Sequence, residues 1–196
     1  MFQTFASPRP PAPLPAIHRR MSELRFTMSG SDDVGQLLRA LVVAKPGGRF
    51  LELGTGLGLS LAWMVDGMGP AATVLSIDDQ LAYIDFVEGL FAEDDRVELL
   101  RTDGAEWLED YDGPGFDLIF ADTWPGKYHL LEEALGMLNV GGWYVIDDML
   151  PQENWPEGHA GKAEHLMATL AARSDLHLCP LPWLTGVVLA VKTPNR

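Results

Sequence analysis

Short apolar segments alternate along most of this chain with segments of helical periodicity, and this alternation constrains the fold more than any other feature of the sequence. We predict strands at residues 49–53, 73–78, 97–102, 117–122 and 143–147, and helices near residues 31–45, 60–68, 81–92, 105–111 and 127–138. Parallel strands need crossover connections, which are right-handed and are here supplied by the helices. The pattern therefore predicts an α/β fold, with a doubly wound, mostly parallel sheet that carries helices on both faces.

Both ends of the chain depart from this alternation. Towards the C-terminus a helix near residues 163–172 is followed by strands at 176–181 and 186–192 with no helix between them, which predicts an antiparallel pair. The N-terminal segment is rich in proline and arginine. We interpret residues 1–30 as a Pro-rich basic arm and residues 31–196 as one domain. The arm is either a solvated tail, which is the simpler interpretation, or a segment that packs on the acidic body of its own chain or of a neighbour.

Composition excludes several classes of function. The formal net charge is −14, which would repel nucleic-acid phosphates and anionic membrane surfaces. No apolar run approaches the roughly 20 residues that a transmembrane helix needs, and the single cysteine fits a reducing compartment. We therefore expect a cytoplasmic protein that acts on a small molecule and binds neither nucleic acid nor membranes. The opposite charges of the arm and the body also allow a homodimer.

A glycine-rich loop, within LELGTGLGLS at residues 51–60, lies where the first predicted strand passes into a helix. Glycines there permit a tight turn and a close approach of a ligand to the backbone. The spacing is G-x-G-x-G, whereas a dinucleotide fingerprint would place its third glycine at Leu59. In addition, the carboxylate of Glu52 would repel a pyrophosphate but suits a ligand that carries an ammonium or sulfonium group.

Two later acidic residues extend this candidate nucleoside site. Asp78 ends the second predicted strand, where a carboxylate can accept hydrogen bonds from ribose hydroxyls. Asp103 could accept a hydrogen bond from an adenine amino group, while Gly104 leaves room for the flat base. An equally good interpretation of Asp103 is a helix N-cap.

Taken together, these motifs resemble a known family. The loop, Asp78, the step from Asp103 to Ala105, FDLIFADTWPGKY and GGWYVIDDM are similar to class I S-adenosylmethionine-dependent methyltransferases, specifically the small O-methyltransferases of the catechol and caffeoyl-coenzyme A type. The resemblance runs from about Ser31 to the C-terminus. It implies a seven-stranded sheet of order 3-2-1-4-5-7-6 with strand 7 antiparallel, S-adenosylmethionine as cofactor, and methyl transfer to a small-molecule acceptor, with oxygen the favoured atom. The cofactor-binding residues that it implies are Glu52, Gly54, Thr55, Gly56, Gly58, Ser60, Asp78, Asp103, Gly104, Ala105 and Asp122.

Three carboxylates follow two of the predicted strands. Asp122 and Asp147 end successive strands, and Asp148 converges with them only if the chain leaves extended geometry there. Carboxylates packed together need a cation or a proton, and oxygen ligands suit Mg²⁺, Mn²⁺ or Ca²⁺. By resemblance, metal-dependent members hold a divalent cation with aspartates at positions 122 and 147 and an asparagine at 148. We therefore expect Asp122, Asp147 and Asp148 to be the ligands of any metal.

The catalytic residues are less clearly marked. The family places a catalytic lysine three residues after the first metal aspartate, where this chain has Pro125, whereas Lys127 stands two residues further on. Our candidates for catalysis are Asp122, Lys127 and Asp148. His129 is a further candidate base, although a histidine one turn into a helix is more often a surface residue. Aromatic residues, among them Trp155 in a Pro/Gly-bounded loop, are expected around the acceptor.

The sequence leaves three other functions open. The first is a metal-independent methyltransferase that acts on nitrogen or carbon. The second is a nicotinamide dehydrogenase, and the third is a non-catalytic member of the fold that binds the cofactor or a partner chain.

Overall fold

The fold was obtained as a computed structural model, which describes residues 9–28, 30–153 and 155–194. Seven helices and seven strands occur in these residues. The helices are α1 Leu14–Leu24, α2 Asp32–Val43, α3 Leu59–Gly67, α4 Leu81–Phe91, α5 Gly104–Asp110, α6 Leu131–Met137 and α7 His159–Ala171. The strands are β1 Arg49–Leu53, β2 Thr73–Asp78, β3 Val97–Arg101, β4 Phe116–Ala121, β5 Leu138–Ile146, β6 Leu176–Leu181 and β7 Val187–Lys192. None of the helices in these residues combines the length and the apolar character needed to cross a membrane.

The strands form one sheet of order β3-β2-β1-β4-β5-β7-β6. β1 to β5 pair in parallel, while β7 is antiparallel to both β5 and β6. The predicted fold class and the sheet order that the resemblance implied are both confirmed. The chain moves outward from β1 to β3 and then returns to β4 on the other side of β1. Right-handed crossovers therefore place α3 and α4 on one face of the sheet and α5 and α6 on the opposite face.

Two hydrophobic clusters cover the two faces. One joins α1 to α4 with sheet residues such as Phe50 and Phe120, and the other joins α5 to α7 with sheet residues such as Leu51 and Ile119. This division follows the alternation of side chains along each strand. Glu52 falls on the first face by the same alternation, so this carboxylate is buried inside the protein beneath α3.

The N-terminal segment differs from the expectation of a solvated tail. Residues 14–24 form α1, in which Leu14 and Ile17 are buried in the first cluster. A backbone carbonyl of the same segment, that of Arg9, accepts a hydrogen bond of 2.8 Å from Arg39. The tail interpretation is therefore wrong for this segment, while residues 1–8 lie outside the described part of the chain.

The predicted helix at residues 127–138 is also wrong in its extent. α6 begins only at Leu131, because Leu130 has a φ of 56° and Gly126 a φ of 78°, so the chain turns rather than continuing as a helix. β5 in turn begins at Leu138, five residues before the predicted start at residue 143. The residues between β4 and α6 thus form a turn at the carboxyl edge of the sheet.

Candidate active site

The candidate site lies at the carboxyl ends of β1, β2, β4 and β5. The strand order reverses between β1 and β4, and this is the position at which ligands bind to open α/β sheets. Two neighbouring cavities occupy this edge, and Thr123 contributes to both.

The glycine loop borders the first cavity through its first glycine, Gly54. Gly54 has a φ of 103°, and a Cβ on it would lie 2.5 Å from Cγ2 of Thr123. Gly56 has a φ of 51°, and its amide donates a hydrogen bond of 2.8 Å to the carboxylate of Asp78. The loop is therefore folded by positions that favour glycine and is tied to the end of β2.

The first cavity has a volume of about 370 Å³ and brings together five of the predicted cofactor residues. They are Gly54, Asp78, Asp103, Gly104 and Ala105. Asp103 also caps α5, since its carboxylate accepts hydrogen bonds of 2.7 and 3.4 Å from the amides of Ala105 and Glu106. The N-cap interpretation is thus confirmed, and it leaves the residue on the cavity wall.

Glu52 and Ser60 lie beneath the loop rather than on the cavity wall. The two carboxylate oxygens of Glu52 accept hydrogen bonds from the hydroxyls of Ser60 and Ser76, and Ser76 is bonded in turn to Thr55. Burial raises the pKa of Glu52 to about 7. The other predicted cofactor residues away from the cavity wall are Thr55, Gly56 and Gly58, while Asp122 lines the second cavity.

The second cavity, of about 450 Å³, holds Asp122, Lys127, Asp147 and Asp148 together. Lys127 is only 4% exposed, and its Nζ donates a hydrogen bond of 2.6 Å to the backbone carbonyl of Asp147. Asp148 has a φ of 59°, so the chain does leave extended geometry directly after Asp147. The lysine that stands out of register with the family motif therefore lies in the cavity that the three carboxylates line, where it binds the backbone at the end of β5.

The charges in this cavity perturb one another strongly. Burial raises the pKa of Asp122 to about 8, with the charge of Asp147 adding to the effect and that of Lys127 opposing it. Burial likewise raises the pKa of Asp147 and lowers that of Lys127. Burial and the neighbouring carboxylates thus favour the protonated form of Asp122, whereas the charge of Lys127 favours its ionised form.

Aromatic side chains lie along one side of the second cavity, which Trp124, Tyr128 and His159 line and Trp155, expected near the acceptor, does not. Tyr128 Oη and His159 Nε2 lie 2.9 Å apart, and the ring of His159 packs against Trp155 with centroids 4.4 Å apart. The indole of Trp155 donates a hydrogen bond of 2.8 Å to Asp148. Burial raises the pKa of Tyr128 to about 12 and lowers that of His159. The Nδ1 atom of His159 is buried and has no hydrogen-bond partner among the described residues.

Comparison with known proteins assigns the family. Residues 51–149, half of the chain, match a family described as a methyltransferase domain. The chain belongs to the methyltransferase-domain family. The recognition of a class I S-adenosylmethionine-dependent methyltransferase, and with it the prediction of an enzyme, is thereby confirmed.

Relatives and solved structures agree with this assignment. This methyltransferase is 28% identical over 169 residues to a protein of Mycobacterium avium named as an O-methyltransferase, covering 81% of this chain and 76% of the relative. It shares its fold with the O-methyltransferase TomG of Streptomyces achromogenes, solved with S-adenosylmethionine, at a TM-score of 0.83 and 22% identity, covering 95% and 92% of the two chains. An O-methyltransferase of Bacillus cereus solved with S-adenosylhomocysteine also has a TM-score of 0.83, at 19% identity, and covers 96% and 94%.

The predicted metal ligands of the methyltransferase do not form a ligand set. Among residues 9–28, 30–153 and 155–194, no three carboxylate, histidine or cysteine side chains are arranged to hold a metal ion. Asp147 uses one carboxylate oxygen to accept from the hydroxyl of Thr185 and from the amide of Asp148. Because Lys127 lies within the cluster as well, these residues do not fit a divalent cation.

Two histidines lie at this edge of the sheet in different surroundings. His129 lies on the exposed rim of the first cavity and does not line the second, so it is not beside the carboxylates. His159, by contrast, lines the second cavity of the methyltransferase, although its position in the sequence carried no motif. No signal in the sequence indicated it; in the structure its ring nitrogen Nε2 lies 2.9 Å from the hydroxyl of Tyr128.

Proposed function

We propose that the protein transfers the methyl group of S-adenosylmethionine to an oxygen atom of a small-molecule acceptor. The observation that carries the proposal is the pairing of the two cavities: one joins the glycine loop to Asp78, and the other gathers Asp122 and Lys127 on the far side of Thr123. Such an arrangement suits a reaction that needs a sulfonium donor and an acceptor held in line. The O-methyltransferase names of the relatives support oxygen as the acceptor atom.

The first cavity would take the nucleoside part of the cofactor. Asp78 would accept hydrogen bonds from the ribose hydroxyls, and Asp103 with Gly104 would border the adenine. Glu52 would act from below the loop, by holding Ser60 at the start of α3 and by placing an acidic group near the sulfonium.

The second cavity would take the acceptor, and its residues would handle the acceptor proton. We assign Asp122 as the group that receives this proton, because an acid with a pKa of about 8 can release and accept a proton near neutral pH. The Lys127 ammonium would stabilise the negative charge that develops on the acceptor oxygen. Asp148 would act as a positioning residue, since its carboxylate holds the indole of Trp155, which packs against His159 of the cavity wall.

Calorimetric titration with S-adenosylhomocysteine tests the cofactor assignment without knowledge of the acceptor. We expect saturable one-site binding, and no binding of nicotinamide adenine dinucleotide in a parallel titration. A panel of hydroxylated, amino and carbon acceptors, assayed by mass spectrometry of the products, then tests the acceptor atom. Absence of S-adenosylhomocysteine binding would contradict the proposal, as would methylation confined to nitrogen or carbon.

A further inference from the structure

The inference concerns the cation of the carboxylate cluster and rests on the proposed function. We propose that the ammonium of Lys127 is the resident cation of the cluster formed by Asp122, Asp147 and Asp148, and that the acceptor site therefore takes no divalent metal. In this respect the chain differs from the metal-dependent proteins that its sequence resembles.

The first support is the mutual dependence of the four charges. Lys127 is the only one of the four lysines that is buried, and Lys45, Lys162 and Lys192 are each partly or largely exposed. A buried ammonium is unfavourable unless carboxylates or carbonyls surround it, and a buried group of carboxylates is unfavourable unless a cation joins it. Lys127 meets the first requirement through the carbonyl of Asp147, and its charge favours the ionised forms of Asp122 and Asp147.

The second support is the structure of the turn that carries Lys127. Gly126 has a φ of 78°, and a Cβ on it would lie 2.6 Å from Cδ1 of Leu53. Its amide donates a hydrogen bond of 2.8 Å to the carbonyl of His129, while its own carbonyl accepts one from the hydroxyl of the fully buried Tyr144. These contacts fix the backbone next to Lys127 against the end of the sheet. The ammonium is thus delivered to the cluster by a rigid turn.

The third support is that two of the six carboxylate oxygens of the cluster already accept hydrogen bonds from groups of the protein. One oxygen of Asp147 accepts from Thr185 and from a backbone amide, and one oxygen of Asp148 accepts from Trp155. Lys127 itself binds the backbone carbonyl of Asp147 at 2.6 Å. A divalent cation at either of these two oxygens would compete with the existing hydrogen bonds, and a cation anywhere in the cluster would lie close to the like charge of Lys127.

Titration with Mn²⁺, followed by electron paramagnetic resonance of the free ion, tests the inference directly. We expect no Mn²⁺ binding by the natural protein below millimolar concentration, and unchanged S-adenosylhomocysteine affinity in the presence of a chelator. Lys127→Met leaves the carboxylates without their cation, so it should bind Mn²⁺ at least about tenfold more tightly than the natural protein. Lys162→Met, which removes an exposed lysine beside Trp124, is the matched control and should leave Mn²⁺ binding unchanged.

Two results would overturn the inference. One is micromolar Mn²⁺ binding by the natural protein that is lost in Asp122→Asn. The other is a folded Lys127→Met protein, judged by its circular dichroism, that gains no Mn²⁺ affinity. Should Lys127→Met not fold, Lys127→Gln replaces it, and the titration of the natural protein decides the question by itself.

This experiment separates the inference from the proposed function. S-adenosylhomocysteine is titrated into the same samples, and its binding does not depend on the outcome with Mn²⁺. Loss of cofactor binding alone would contradict the proposed function, whereas Mn²⁺ binding by a protein that also binds S-adenosylhomocysteine would contradict only the role assigned to Lys127.

Discussion

Replacement of Glu52 by glutamine should remove a pH-dependent loss of stability. Burial, offset only in part by the hydrogen bonds from Ser60 and Ser76, raises the pKa of Glu52 from 4.5 to about 7. Between these two values the folded protein holds a proton that the unfolded chain has released, so the free energy of unfolding falls as the pH rises. At about 1.4 kcal/mol per pKa unit, the full effect is about 3 kcal/mol. This contribution to the free energy of unfolding is fully present below pH 4.5 and is lost as the pH rises through about 7.

Chemical denaturation between about pH 5.5 and about pH 8.5 measures the largest part of this change, about 2 kcal/mol. Other buried acids add to the slope of the natural protein, so the quantity to follow is the difference between the natural protein and Glu52→Gln. We expect the variant to gain stability relative to the natural protein as the pH rises. Glu98→Gln, which changes an exposed glutamate of β3, is the control and should show a constant difference. A constant difference for Glu52→Gln as well would refute the argument that burial of this carboxylate destabilises its ionised form.

Three further substitutions test the loop and the turn. Gly56→Val should abolish S-adenosylhomocysteine binding in calorimetry, because the residue has a φ of 51° and a β-branched side chain strongly disfavours that conformation; unchanged binding would remove the loop from the site. Asp78→Ala should weaken binding by about 1 to 3 kcal/mol, since it removes an acceptor for the ribose and for the Gly56 amide, and an unaltered dissociation constant would contradict its role. Tyr144→Phe leaves the Gly126 carbonyl without its buried donor. It should lower the free energy of unfolding, measured by urea denaturation, by about 1 to 2 kcal/mol. A urea midpoint equal to that of the natural protein would show that this hydrogen bond does not hold the turn.

The sheet could be predicted from the sequence because local and tertiary signals agree there. The strands are short apolar runs bounded by glycine, proline or acidic residues, and β1 and β2 were predicted at their observed limits. The N-terminal helix could not be predicted in this way. Its prolines indicate a tail, and what stabilises α1 is the burial of Leu14 and Ile17 against distant helices, which local sequence does not report.

The end of β4 shows the same limit on a smaller scale. Residues 127–138 have helical periodicity, and leucine favours helices, yet Leu130 adopts a φ of 56° and the helix starts only after it. The turn is held by contacts with other parts of the fold, notably the hydroxyl of Tyr144 on the Gly126 carbonyl. Tertiary contacts here override local propensity, so a prediction based on periodicity extended the helix too far.

This turn also explains why the family motif alone could not locate the lysine. Pro125, at the position where the family has its lysine, lines the first cavity and lies against Gly104, 3.5 Å from the position of a Cβ there. Lys127, two residues on, lines the second cavity among the aspartates. The chain turns at Gly126, between these two residues, so their side chains line different cavities. A lysine displaced by two positions along the sequence therefore lies in a different cavity from the one that Pro125 lines. The departure from the motif therefore argues for a different arrangement of charge around the acceptor rather than for the loss of catalysis.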